Sequence, residues 1–487
     1  MRSRADDRAR ARLTRPVRQG AIVAALLSAG LSAAFMVTIV LPIQSELPVL
    51  LDASRDDTAW VVTASLLSSA VGTPIAGKLG DMYGRRRVLL ALIALQFAGA
   101  VVAALSTSVL PLIIGRGLQG LALGVIPLGI AIMRDSLHRD RLGPAIGLMS
   151  ATIGIGGALG LPLAGFVTHY FDWHVLFWLS AGFAGLGFVL VLGFVPVSTL
   201  RSAGRLDIVG AIGMCIALTC ILLAVTRGND WGWSSPATIG LFAAGTAVLL
   251  GWVWWELRMP NPIADLRVAV RPSVLLTNTT SIALAFSLFA GNIIYPQLLE
   301  LPVESGVGLG LALDATGLVM LPHSLAVVVM SPIAGRLIAV VGPKSLLAAG
   351  GVMAALGYAL SLLVAPDVWV VLLVNVLLGS AAGTAFAAMP TLIMRAVPAT
   401  EAGAANGLNS LMRALGNSVS AAVIGAILAN SVFEFEGSDV PTSDAFRATF
   451  VIGLVAAAAA TAIALSIPRH RAPATEHEAL PEPLPDV

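Results

Sequence analysis

Charge is scarce in this chain. Acidic and basic residues make up 11% of the 487 residues and hydrophobic residues 57%, against about 25% charged residues in soluble domains. That shortfall excludes a water-soluble globular protein and implies a polytopic membrane protein. Cysteine is scarcer still. Cys215 and Cys220 are the only two, and both lie in one apolar run, which excludes a disulfide framework or a metal site and leaves two small core residues. No metal-ligand cluster, nucleophile elbow or Walker-type phosphate loop occurs, so an enzyme reading has no support and no cofactor is expected. The formal net charge of +2 says little by itself, and nucleic acid is not an expected partner. A further scarcity is positional: each Asp and Glu falls in a loop, a tail or at the end of an apolar run, none at a run's middle.

What the chain has instead is apolar length. A membrane span needs ~20 residues at ~1.5 Å each. Runs of that length read as 21–42, 58–78, 87–107, 110–133, 144–168, 174–196, 207–226, 236–256, 273–295, 314–337, 344–365, 368–394, 402–430 and 445–467, fourteen in all. The basic residues fix their orientation. Of 29 Lys and Arg, 24 lie in the two tails and one set of loops; the opposite loops hold only Arg55, Arg227 and Arg447, and Arg116 and Arg413 lie inside spans. The positive-inside bias places both termini in the cytoplasm. Tryptophans near span ends, among them Trp60, Trp178, Trp254 and Trp369, read as an interfacial belt. The loop 431–444 reads as an acidic outer loop.

A repeat organises the spans. Residues 331–342, SPIAGRLIAVVG, echo residues 73–84, TPIAGKLGDMYG, at an offset of 258, with six of twelve positions identical. Gly120 and Gly124 recur as Gly379 and Gly383 at an offset of 259. Repeated Gly/Pro-interrupted spans are a transporter signature. Six spans fill about 175 residues, so the offset requires two extra spans between the repeats. The predicted fold is all-α: two six-helix bundles plus a two-helix insert, with fourteen transmembrane helices. Its parts are a basic cytoplasmic tail (1–20), an N-terminal bundle (21–200), the insert (207–256), a C-terminal bundle (271–467) and a disordered cytoplasmic tail (468–487).

The turn after span 2 carries Gly77, Asp81, Gly84, Arg85 and Arg86; span 4 carries Arg116, Gln119 and Gly120; span 5 reads GIGGALGLPLAG from Gly154 to Gly165. In these residues the chain resembles the major facilitator superfamily, and within it the fourteen-span drug:proton antiporters, over about residues 20–467. Three positions depart from that pattern. Met82 stands where a base is usual, Leu161 splits the Gly160–Pro162 pair, and Met36 stands where the span-1 aspartate is expected. The resemblance implies the major facilitator fold in the plasma membrane, alternating access, and proton-driven efflux of amphipathic organic compounds. Gly77, Asp81, Gly84, Arg85 and Arg86 would form an inner conformational latch, and Gly156, Gly160, Pro162 and Gly165 a helix-packing surface. The expected partners are a small amphipathic substrate and the lipid bilayer, with the protein a monomer. A lipid or glycolipid exporter, an uptake permease and a non-transporting membrane sensor are the rival readings.

Polar residues at membrane depth are costly and mark function. Arg116 and Gln119 share a face of span 4. Arg116 either ties spans through backbone carbonyls or lines a central cavity, and Asn375 is its counterpart in the repeat. Span 13 carries Asn406, Ser410, Arg413, Asn417 and Ser420 on one face, with Asn409 beside them. The stripe is inter-helix glue or, with an arginine at its centre, one wall of a watered cavity. His323, next to Pro322, is a backbone-bonded neutral residue or a proton carrier. With no midplane carboxylate, the coupling candidates are His323, Asp314 and Glu46, and the cavity is expected to prefer anionic or neutral amphiphiles over permanent cations.

Overall fold

The computed structural model describes residues 16–40, 43–44, 46–197, 206–260, 262–263, 265–435 and 438–468. Long helices dominate it: α1 (Pro16–Thr38), α2 (Arg55–Tyr83), α3 (Arg85–Ala104), α4 (Val109–Ser136), α5 (Arg139–Tyr170), α6 (His174–Phe194), α7 (Ile208–Trp231), α8 (Pro236–Glu256), α9 (Pro272–Glu300), α10 (Leu313–Val341), α11 (Pro343–Leu363), α12 (Val368–Ala396), α13 (Ala402–Asn430) and α14 (Ser443–Ser466). Each overlaps one apolar run of the sequence. Among the described residues thirteen helices are long and apolar enough to cross a membrane. Helix α5, with 32 residues, some of their side chains not described, is the fourteenth long helix. The acidic stretch after α13 is more ordered than the sequence suggested: Val432–Phe435 pairs antiparallel with Ser438–Pro441 in a small hairpin.

Local chemistry sets the helix ends. The side chains of Ser54, Asp207, Ser235 and Thr442 accept the backbone N–H three residues on and start α2, α7, α8 and α14, each satisfying a donor the helix leaves free. The repeated glycines Gly84 and Gly342 have φ of 103° and 79°. A side chain is strained there, which explains why the last position of both repeat copies is glycine. In α4 a 3₁₀ turn, Ala122–Gly124, interrupts the helix.

Helices α1–α6 pack around two apolar clusters, one including Ile22, Leu89 and Met149, the other Phe35, Leu112 and Phe177. Helices α9–α14 share a single larger cluster that includes Leu284, Tyr295, Tyr358 and Phe450. The outward faces are also apolar: Leu110, Leu318, Leu363 and Trp369 are 63–84% exposed. An apolar exterior around helices whose backbone groups bond internally is what a bilayer requires. The hairpin α7–α8 lies across α2 and α13, with Met214, Leu218, Leu222 and Trp252 against Ala70 and Leu411.

Two seams join the halves, and they are copies of each other. On one, α2 meets α13: a Cβ on Gly77 would lie 2.3 Å from the Gly403 carbonyl oxygen, and one on Gly407 2.9 Å from the Thr73 oxygen. On the other, α10 meets α5: a Cβ on Gly335 would lie 2.4 Å from the Gly143 oxygen, and one on Gly147 2.3 Å from the Ser331 oxygen. Gly77 and Gly335 are repeat mates, as are Thr73 and Ser331. Glycine lets helix backbones touch, and both touches fall toward the end that the basic residues mark as inner.

Candidate functional site

The residues expected to form an inner latch lie at the last turn of α2, and Asp81 among them meets the first turn of α13. Asp81 is 2% exposed. Its Oδ1 accepts Arg85 Nε at 3.0 Å, Arg85 Nη2 at 2.7 Å and the Gly403 N–H at 3.2 Å; its Oδ2 accepts the Ala404 N–H at 2.9 Å. The first N–H groups of a helix have no partner within it and carry partial positive charge, so the carboxylate caps α13 across the seam. Arg85 is equally buried. It also reaches Asp135 at 2.5 Å, the Ala131 carbonyl at 3.2 Å and the Ala399 carbonyl just ahead of α13. Arg134 adds a bond to the Val397 carbonyl at 3.3 Å.

This corrects the expected latch in one member and adds two. Arg86 turns away from the seam and donates to the Leu192 carbonyl at 2.5 Å, because the last turn of α6 offers free carbonyls and a negative dipole end. Asp135 and Arg134, unremarked in the sequence, close the network from α4. Their signal was an adjacent base and acid at the inner end of a span.

Three helices converge on Arg116, which is 1% exposed. It donates to the Met36 carbonyl at 2.7 Å, Gln119 Oε1 at 3.0 Å, Ser65 Oγ at 3.2 Å and the Val61 carbonyl at 3.4 Å, while Gln119 Nε2 reaches Ser180 Oγ at 3.5 Å. Neutral oxygens from α1, α2 and α4 thus surround the guanidinium, one of them the backbone of Met36. Of the two sequence alternatives, this is the tie through carbonyls. In the other half Asn375 donates to the Val371 carbonyl at 3.1 Å and lies 3.5 Å from the Met320 sulfur. Asn409 joins α13 to α9 through Asn278 at 2.9 Å and Ser281 at 2.8 Å.

Arg413 differs from Arg116. Its Nη2 donates to Ser410 Oγ at 3.1 Å, its Cζ lies 4.9 Å from the Phe386 ring centre, and its Nε is buried without a partner among the described residues. Asn417, one turn on, is half-buried. His323 is half-buried in α10, and its carbonyl oxygen would lie 2.1 Å from a Cβ on Gly379. The repeat equivalent is the Ser65 oxygen, 2.3 Å from a Cβ on Gly120. The shared glycines therefore mark one helix crossing made twice.

Of the remaining coupling candidates, Glu46 does not join these groups. It is exposed before the short helix Leu47–Leu50, and the side chain of Asp314 lies outside the described residues. Of the expected packing positions, Gly156 and Gly160 meet Ala34 and Thr38 of α1. Gly165 is exposed, has open space at its Cβ and packs against nothing among the described residues, because it faces outward near the end of α5; the side chain of Pro162 lies outside the described residues. Beside the stripe of α13, a pocket of about 530 Å³ is lined by Val225, Trp233, Phe242, Val419, Val423 and neighbouring apolar groups.

Comparison with known proteins places these features. The family model described as Major Facilitator Superfamily matches residues 22–295 and 275–485. The chain is 31% identical to the multidrug resistance protein Stp of Mycobacterium tuberculosis over 381 residues, 77% of this chain and 69% of that one. It is 28% identical to the tetracenomycin C resistance and export protein of Streptomyces glaucescens, over 78% of this chain and 71% of that one. The structure of the human organic anion transporter MFSD10 (TETRAN) superimposes with a TM-score of 0.63, covering 93% of this chain and all of the other, at 14% identity, a likeness of fold alone.

Proposed function

The chain belongs to the Major Facilitator Superfamily, and on that premise we propose that it exports amphipathic organic compounds by proton antiport through alternating access. It is a multi-pass transporter of the plasma membrane. The bundles at 21–200 and 271–467 rock about a midplane site, with the insert at 207–256 riding on their seam and both termini in the cytoplasm. The observation that carries this reading is the Asp81 carboxylate capping α13 across the seam. That contact exists only while the inner end is closed, so it biases the conformational equilibrium as an alternating-access latch must. Resistance and export relatives support efflux as the direction. His323 is the proposed proton carrier, since an imidazole titrates nearest to neutral pH.

The test is a proteoliposome assay with an imposed pH gradient and a panel of amphiphilic dyes. Gradient-dependent movement of at least one class, lost in Asp81→Asn and reduced in His323→Ala, is expected. No gradient-dependent movement of any compound would overturn the transport reading, and undiminished pH-driven movement in His323→Ala would remove that residue from coupling. The pocket between α7, α8 and α13 supports a second reading. Its wholly apolar lining suits acyl chains, and export of a labelled lipid in the same vesicles would favour it.

A further inference from the structure

We infer that Arg413 is an anion receptor, and that the amphiphiles this protein handles carry an acidic head group, a carboxylate, sulfonate or phosphodiester, which that guanidinium binds at the middle of the membrane. The inference rests on the transport reading and names its substrate class.

Two arginines at membrane depth stand in contrast, Arg116 fully buried and Arg413 half-buried with its Nε enclosed. A guanidinium offers five N–H donors and cannot shed its charge. In a low-dielectric interior it needs acceptors or an anion. Arg116 has them: Met36, Val61, Ser65 and Gln119 all supply oxygens. Arg413 has one neutral hydroxyl, Ser410 on its own helix, and the face of Phe386. Among the described residues no carboxylate pairs with it, and its Nε is enclosed without a partner. A cation held over an aromatic face, with its donors left over, is arranged for a planar anion that accepts two parallel bonds.

The surroundings extend this point into a site. Along α13, Asn406 Oδ1, Arg413 Nε and Ser420 Oγ are each buried and without a partner among the described residues. They are seven residues apart, so they fall on one face of the helix with little drift. Asn417 lies on the same face, between Arg413 and Ser420. A stripe serving only to bind helices together would have these atoms paired, as Asn409 is paired with Asn278 and Ser281. Arg413 lies 11 residues into α13, about 16 Å from its inner end, and Phe386 lies about 15 Å from the inner end of α12. At the same level Ser150 of α5 donates to the Phe386 carbonyl at 2.7 Å. The arginine thus sits where the halves meet at mid-depth, the level at which transporters of this architecture hold their cargo.

The experiment compares 11-(dansylamino)undecanoic acid with its methyl ester, which keeps the length and removes the charge. Binding to purified full-length protein in detergent is read by dansyl fluorescence for wild type, Arg413→Gln and Arg413→Lys. The acid should bind wild type at least tenfold more tightly than the ester. Arg413→Gln should abolish most of that ratio by weakening the acid alone, and Arg413→Lys should keep part of it, as a point charge without the planar fork. Equal affinity of acid and ester for wild type, or an unchanged ratio in Arg413→Gln, overturns the proposal. If Arg413→Gln fails to fold, the wild-type ratio and its reduction in Arg413→Lys decide.

Flux of the same acid in proteoliposomes separates the two claims. Selective binding without gradient-driven movement defeats the transport reading and leaves the receptor standing; movement with no acid preference does the reverse. Dihexanoyl phosphatidylglycerol, titrated in place of the acid, distinguishes the source of the anion. Arg413-dependent binding assigns a lipid head group to the site; its absence assigns a soluble amphiphile, and both outcomes retain the receptor.

Discussion

Replacing Asp81 by Asn should open the inner end. Of the four hydrogen bonds to its carboxylate, the two from Arg85 lie within one half and survive opening. The two from Gly403 and Ala404, at 3.2 and 2.9 Å, cross the seam. Asparagine keeps one acceptor and turns the other into a donor that faces an N–H. The change removes one hydrogen bond to a charged group and the attraction between that charge and the start of α13. Together these are roughly 2–3 kcal/mol in favour of the closed inner end, or about a 30- to 150-fold shift in the open-to-closed ratio. Arg85 retains Asp135, so the fold should hold. Spin labels on Tyr83→Cys and Arg395→Cys, both exposed near the inner end, would report the distance in a background lacking Cys215 and Cys220. A population at longer distance should appear in Asp81→Asn and be absent from Ala339→Asn, whose site is the uncharged repeat mate. An unchanged distribution, or the same change in both variants, would refute a charge-based latch.

Adding a methyl group at either glycine seam should act in the same direction as Asp81→Asn. Gly77→Ala and Gly335→Ala force the touching backbones about 1 Å apart, so both should lengthen the inner-end distance, while Gly165→Ala, with open space at its Cβ, should leave distance and melting temperature unchanged or slightly raised. Arg116→Met should lower stability by roughly 2–4 kcal/mol, because it strands the oxygens it now satisfies; a melting temperature equal to wild type would show that the knot is not structural. For topology, cysteines at Ser234 or Asp439 should label from outside intact cells and those at Asp140 or Arg258 should not, and labelling of both sets from one side would contradict the orientation read from the basic residues.

What the sequence made legible was whatever side chains announce. The fourteen helices showed as apolar runs, the pairing of the halves as a repeat, and the latch acid as a charge among glycines. The α13 stripe was legible from its spacing. What escaped was held by backbone. Nothing in residue type says that Asp81 will face the N–H groups of Gly403 and Ala404, or that Arg116 will rest on the carbonyls of Met36 and Val61. Main-chain donors and acceptors are the same at almost every position, so only the fold selects them. Arg86 was misassigned for the same reason, since its partner is the Leu192 carbonyl. Gly165 failed differently: a helical glycine serves packing only on a face turned inward, and a single glycine-rich run does not say which of its faces that is.

The α7–α8 hairpin has a mechanical consequence. It lies over the part of the α2–α13 seam where the two helices part when the inner end opens, and the side chains it lays on that seam, Met214, Leu218 and Leu222 with Trp252, are apolar. Such contacts have no preferred direction, so they let the hairpin slide over either helix, while Arg227 of α7, its guanidinium 5.2 Å from the Trp60 ring centre on α2, keeps a hold on one of them. On the alternating-access reading it would act as a gasket: the widening inner cleft would meet a greased protein surface on this side instead of bare lipid, and acyl chains would be kept from flooding the path that the cargo has just left.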